Sequence, residues 1–331
     1  MKAIVLTAPG APENLQLQTL PDPEIQRGTD LLIRLKAAGV NPIDTKLRQR
    51  GSFYPDRTPT VLGCDGAGIV EAVGSHTERF KVGDEVYFCQ GGLGGPGGNY
   101  AEYTVVDERF VAPKPRNLSF AEAAAAPLVL ITAWEALYDR GRLQAVQTAR
   151  MHGGAGGVGH VAIQLAKIRG ARVCTTVSSG EKAAFVKQLG ADLPILYRET
   201  DFVQAAREWT EGKGVHLAFD TVGGALLEQT FGAVRIYGDV VTILAPDPAT
   251  NWQVARDRNL RTSLELMLTP MLQDLREDQK HQARLLEDCT RWFEQGLLKI
   301  HLAQTFPLAE AAAAHRLLAQ GGMMGKVVLE L

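Results

Sequence analysis

The 331-residue chain has only four cysteines, Cys64, Cys89, Cys174 and Cys289. No two stand in C-x-x-C spacing, so neither a structural zinc lobe nor a disulfide framework is expected, and each reads as a small buried hydrophobe. The chain also lacks charge of one sign. Its 35 Lys and Arg against 37 Asp and Glu leave a formal net charge of −2. That excludes a global field for nucleic acid or for an anionic membrane. A long apolar run is missing too. The longest, Ala123 to Trp134, is interrupted by Pro127 and falls short of the ~20 residues a bilayer helix needs. Met1 to Leu6 is too short for a signal-peptide core and reads as a first strand, so with no address visible the expected location is the cytoplasm. No Ser-His-Asp or Cys-His arrangement supports nucleophilic catalysis.

The hydrophobic content of 45% suits a globular protein with a large core, and the length predicts about two domains. Up to residue 120 or so the chain reads as β-rich, with strand-like runs at Ala3–Leu6, Leu31–Ala37, Ala67–Val73, Glu85–Phe88 and Ala101–Val106. Gly and Pro clusters separate them, the pattern of a barrel or partly closed sheet. Gln90 to Asn99 carries six glycines and reads as a loop bordering a cleft. Ser119-Phe120-Ala121-Glu122 is a capping-box pattern that opens a helix. From there strand and helix patterns alternate, which means a doubly wound parallel sheet. Arg261–Leu268 supplies a last strand, Arg276–Leu297 and Ala309–Gln320 are helical, and Lys326–Leu331 is a strand that returns to the first domain.

The alternation centres on Gly153-Gly154-Ala155-Gly156-Gly157-Val158-Gly159. Read from Gly154 it spells G-x-G-x-x-G, between the strand-like Thr148–His152 and an apolar helical face of Val158, Val161, Ala162, Leu165 and Ala166. Strand, glycine turn and helix is the context in which this motif binds a dinucleotide pyrophosphate, with backbone N–H groups of Gly156, Gly157 and Val158 near the anion. An NAD-preferring domain has Asp or Glu at the end of the second strand. Here that end reads Val177-Ser178-Ser179-Gly180-Glu181-Lys182. Two hydroxyls and an ammonium there favour a 2′-phosphate, hence NADPH.

Several blocks in order resemble the medium-chain dehydrogenase/reductase superfamily, and within it the zinc-free quinone oxidoreductases of the zeta-crystallin-like branch. They are Ala38–Asp44, Leu62–Gly68, Val82–Val86, Gly153–Gly159, Asp220–Gly224 and Gly325–Val328. The resemblance implies an α/β protein with a GroES-like catalytic domain over 1–125 and 298–331 and a Rossmann domain over 126–297, with a cofactor cleft between them. It implies that Thr132, Ile243 and Leu244 lie by the nicotinamide and Tyr197 by the adenosine phosphate. Zinc-dependent members have a Cys where this chain has Asn41, and a His then a Glu where it has Cys64 then Asp65. With no third ligand apparent, no metal is expected. Asn41 and Tyr54 match residues that line the substrate cleft, and both are expected to donate to a carbonyl oxygen as hydride arrives. The expected function is NADPH-dependent hydride transfer to a small quinone or enone, in a homodimer or homotetramer built through the strand at Thr262–Leu268. The alternatives are a zinc-type alcohol dehydrogenase with atypical ligands, and a nucleotide-binding protein with a structural or RNA-binding role.

Overall fold

The computed structural model describes every residue except Pro55, Asp56 and Pro96. The chain divides into two compact units: Met1–Leu128, Leu268–Gly296 and Ile300–Leu331 form one, and Val129–Met267 with Leu297–Lys299 the other.

In the first unit β1 (Lys2–Leu6) pairs antiparallel with β2 (Leu15–Thr19), and β3 (Asp30–Val40) is the longest strand. A short β4 (Thr60–Val61) joins the other edge of β1. The larger sheet is built on β3. It pairs with β5 (Asp65–Val73), which pairs in turn with β6 (Glu85–Cys89); β7 (Tyr103–Asp107) also lies on β3, and β8 (Ala112–Pro113) borders β6. Leu31, Ile33 and Leu35 alternate into a core with Val70, Val86, Phe88 and Val106, the period of two that a half-buried strand requires. Towards its end β3 is buried on both faces. A Cβ on Gly39 would lie 2.4 Å from the Ala124 carbonyl oxygen, so only glycine lets the helix Phe120–Ala125 approach this closely.

The second unit holds a parallel sheet of β9 (Thr148–Met151), β10 (Arg172–Val177), β11 (Leu193–Leu196), β12 (Val215–Asp220), β13 (Val234–Thr242) and β14 (Arg261–Leu264). Their spatial order is β11-β10-β9-β12-β13-β14. This is the dinucleotide-binding order, with the direction of winding reversing between β9 and β12; ligands bind outside the carboxyl ends of the strands at such a point. The last strand is shorter than the sequence pattern suggests, stopping at Leu264.

The last two strands, β15 (Leu302–Pro307) and β16 (Lys326–Glu330), lie in the first unit. The latter runs antiparallel to β3 with Val327 opposite Val40. The helix Arg276–Glu294 differs from the expected division, which put residues up to 297 with the Rossmann domain. It belongs to the first unit. Tyr87 donates its hydroxyl to the Leu286 carbonyl at 2.6 Å, Thr290 to that of Pro113 at 3.0 Å, and Asn117 its amide to that of Phe293 at 2.7 Å. The sequence predicts a helix here, but not which unit covers its buried face of Ala283, Leu286 and Phe293. Among the described residues, no helix is long and apolar enough to cross a membrane.

Candidate active site

The glycine turn follows β9 directly and opens the helix Gly157–Ile168. A Cβ on Gly154 would lie 2.1 Å from Thr175 Oγ1 of β10, and one on Gly159 would lie 2.3 Å from the Gly153 carbonyl oxygen. These glycines are therefore needed for close strand–helix packing. Gly156 is the N-cap and offers no side chain to the helix end, which leaves backbone N–H groups there for an anion. Buried His152 braces the turn: its Nδ1 lies 3.1 Å from Thr176 Oγ1 and its Nε2 3.0 Å from Thr230 Oγ1. Burial, then the nearby Arg150 cation, pushes its pKa far down, so the ring is neutral. His160 is buried, with Nδ1 3.0 Å from the Gly156 carbonyl oxygen.

Around the same carboxyl edge the chain places most of the other expected cofactor residues. Half-buried Ser178 follows β10, and Ser179 caps the helix Gly180–Gln188 by accepting the Lys182 N–H at 3.4 Å. Lys182 is half-buried. Tyr197 follows β11, half exposed, and donates its N–H to the Val177 carbonyl at 3.3 Å. Ile243 and Leu244 follow β13; the Ile243 N–H donates to the Asp220 carbonyl at 3.2 Å, and Thr242 donates its hydroxyl to the Asp220 carboxylate at 3.1 Å. Thr132 lies off this sheet, almost buried in the helix Pro127–Trp134.

The first unit contains a buried polar network. Asn41 precedes the helix Pro42–Arg50, and its side chain is fully buried. Its Nδ2 donates to Asp65 Oδ2 at 2.8 Å, while the Lys326 ammonium donates to its Oδ1. Lys326 also donates to the Val40 carbonyl at 3.2 Å and lies 4.0 Å from Asp65. Asp65 Oδ1 accepts the Leu128 N–H at 2.9 Å. Asp44 Oδ2 accepts the Asn41 N–H at 2.8 Å and the Tyr100 hydroxyl at 3.0 Å, with His315 Nε2 3.2 Å from that hydroxyl. Burial dominates the electrostatics. It raises Asp44 to about 7 against two stabilising hydrogen bonds, raises Asp65 against the Lys326 charge, and lowers Lys326 against both carboxylates. His315 falls to about 3 through burial and then Arg48, so it is neutral.

This geometry differs from the sequence expectation for Asn41, since both ends of its amide are engaged inside the unit. Lys326, Asp44, Tyr100 and His315 escaped the sequence reading as members of one site. In the sequence, Gly325-Lys326-Val327-Val328 shows only as a block of the family resemblance. Tyr54 stands at a cavity wall. It is half-buried and lines a cavity of about 310 Å³ with Gln90, Leu93, Gly95, Met271 and Gln279. The glycine-rich loop does border a cavity, as expected of Gln90 to Asn99.

The donor set does not fit a zinc ion. Among the described residues, no three His, Cys, Asp or Glu converge. Burial, then Asp44 and Asp65, pushes the Cys64 thiol well up. The cation at Asn41 and Asp65 is the ammonium of Lys326 itself.

The comparisons agree with this architecture. The alcohol dehydrogenase GroES-like domain family matches residues 27–116, and the zinc-binding dehydrogenase family matches residues 189–329. A quinone oxidoreductase of Pseudomonas aeruginosa is 34% identical over 330 residues, covering 99% of each chain. The chain belongs to the medium-chain dehydrogenase/reductase superfamily, in its quinone oxidoreductase branch. A second relative of this oxidoreductase, the 2-methylene-furan-3-one reductase of Solanum lycopersicum, is 40% identical over 73% of this chain and 62% of that protein. The crystal structure of Escherichia coli quinone oxidoreductase complexed with NADPH covers 100% of both chains at 28% identity and a TM-score of 0.87.

Proposed function

We propose that this oxidoreductase binds NADPH and transfers its hydride to quinones or α,β-unsaturated carbonyls. The observation that carries the reading is the carboxyl end of β10, where Ser178, Ser179 and Lys182 stand in the slot that an NAD-preferring domain fills with Asp or Glu. A ribose 2′-phosphate is repelled by a carboxylate there and attracted by hydroxyls and an ammonium. The uncapped N-terminus at Gly156, Gly157 and Val158 suits the pyrophosphate. Bound NADPH supplies hydride from its nicotinamide.

Tyr54 is the donor to the substrate oxygen that becomes negative as hydride arrives. Asn41 takes a positioning role, because its amide ties Lys326 to Asp65. A conjugated acceptor spreads charge onto one oxygen, so a hydroxyl donor serves it. A simple alcohol instead needs its pKa lowered, which zinc does in metal-dependent relatives. The donor set here does not fit that ion. The test is NADPH oxidation with a small quinone, an enone and a simple aldehyde, beside NADP⁺ reduction with primary alcohols. Quinone or enone turnover is expected to lead. Primary alcohols as the best substrates, with zinc that tracks activity, would establish the alcohol dehydrogenase reading instead; no turnover of any acceptor would favour a structural or RNA-binding role.

A further inference from the structure

At the amino ends of the parallel strands, away from the glycine turn, a second cavity of about 260 Å³ opens in the same unit. The four residues of β9 alone, at about 3.3 Å rise each, separate the two edges by on the order of 13 Å. Thr148, Arg172, His216 and Arg235 reach the cavity from the first or second positions of β9, β10, β12 and β13. Trp209 and Lys213 complete the polar lining from the helix Phe202–Trp209 and the turn after it.

The charge around this cavity is unbalanced. Arg172, Lys213 and Arg235 bring three cations, and Glu211 is the sole carboxylate among its lining residues. Glu211 lies 3.3 Å from Lys213, with both side chains more than three-quarters exposed, so that pair neutralises little. The Arg172 guanidinium lies 4.6 Å over the Trp209 ring. Arg235 Nε is buried and has no acceptor, and a buried donor left unmade costs stability. The C-terminus of the helix Phe202–Trp209 attracts cations here, but it carries only about half a negative charge. Three cations exceed that.

His216 adds a directed group. Its Nδ1 accepts the Thr148 N–H at 3.2 Å and lies 2.8 Å from the Thr148 hydroxyl, so the neutral ring carries its proton on Nε2. Burial and then the Arg235 charge lower its pKa. At the rim, Val146 is 85% exposed with φ +61°. A β-branched residue in the left-handed region is strained, and such strain concentrates at functional sites.

We infer that this cavity binds a phosphate group, as inorganic phosphate or a small phosphomonoester, at a site separate from the dinucleotide edge. A phosphate dianion there satisfies the cation excess of Arg172, Lys213 and Arg235. The volume is below the ~300 Å³ at which drug-sized pockets begin, so the ligand is small.

The test uses the full, cofactor-free chain at constant ionic strength, titrated with inorganic phosphate and separately with phenyl phosphate. Calorimetry and the His216 ring resonances are followed. Saturable binding is expected, with an upward shift of the His216 pKa as the anion offsets Arg235. Whichever probe binds more tightly identifies the source of the phosphate group. Exposed Lys213→Gln, which leaves the fold intact, should weaken the dissociation constant about tenfold, and Arg235→Gln at least as much. Lys182→Ala, at the dinucleotide edge, should leave the phosphate-dependent shift of the His216 ring resonances unchanged. Non-saturable shifts reproduced by chloride, or a His216 shift that is lost in Lys182→Ala and kept in Lys213→Gln, would overturn the proposal.

Discussion

The amide of Asn41 bridges two buried charges: its Nδ2 donates to Asp65, and its Oδ1 accepts from Lys326. The bridge makes Asn41 a structural keystone. Removing it strands an ammonium and a carboxylate in a dry interior, where unpaired charges cost most. Asn41→Ala should therefore lower the unfolding free energy by about 3 kcal/mol or more in urea melts. If its loss were confined to kcat with an unchanged midpoint, the amide would face substrate instead.

Asp44 gives a pH signature. Its folded pKa is raised to about 7, first by burial, from the ordinary carboxyl value of 3.8. The folded state then binds more protons than the unfolded state between those values. Stability from this group is present below about pH 4 and lost as pH rises through about 7, with a slope of up to ~1.4 kcal/mol for each step of one in pH. Subtracting the profile of Asp44→Asn isolates it. The difference, wild type minus variant, should fall from pH 4 to pH 8. A difference that rises would contradict the burial of this carboxyl as the dominant cause.

The fold was legible in the sequence where local pattern and neighbours agree. The alternation from β9 to β13 and the glycine turn specify a doubly wound sheet, because βα units pack locally and with one hand. The buried network was not legible. Lys326 meets Asn41 across 285 residues, and only the register of β16 against β3 brings them together. The helix Arg276–Glu294 shows the same limit. Periodicity gives its buried face, Leu286 and Phe293 among others, but Tyr87 and Asn117 decide where that face goes. Cofactor residues fell between these cases. Ser178 and Ser179 follow from counting to the end of a strand, but that Ser179 also accepts the Lys182 N–H as a helix cap needs coordinates.

That cap sharpens the cofactor prediction. Ser179 accepts the Lys182 N–H through a lone pair and keeps its O–H to donate, while the Lys182 ammonium supplies the charge. NADPH should bind more tightly than NADH, and Lys182→Ala should erode the difference by about 1–2 kcal/mol, the scale of one charged hydrogen bond. Fluorescence titration of both cofactors measures it. Equal wild-type dissociation constants would remove the basis for NADPH preference.

Assembly is expected through β14. This strand ends the sheet and, among the described residues, pairs only with β13. Leu264 and Leu266 are 61% and 51% exposed on this side of the unit. An unprotected edge with apolar side chains is normally paired or covered. We propose that a second copy covers it. Light scattering at micromolar concentration should give twice the 35.8 kDa chain mass, or four times it in a tetramer. Leu264→Asp should shift the mass to the monomer. A monomeric wild type would refute the strand as an interface.

Tyr54 carries the last prediction. Its ring stands beside Gly95, whose added Cβ would lie 3.4 Å from the ring, and Arg57 lies 5.4 Å over the same ring. Glycine at 95 leaves room for the phenol to hold its place at the cavity wall. A hydroxyl that meets developing negative charge contributes to the transition state and not to the ground state. Tyr54→Phe keeps the ring, so the wall remains while the donor is lost. The expected result is a fall in kcat of about 10²-fold with quinones or enones and little change in KM. NADPH affinity should stay as it was, since the cofactor residues lie in the other unit. A rise in KM alone would mean that the ring only shapes the cavity. Unchanged kinetics with every acceptor would assign the oxygen's stabilisation to a different donor.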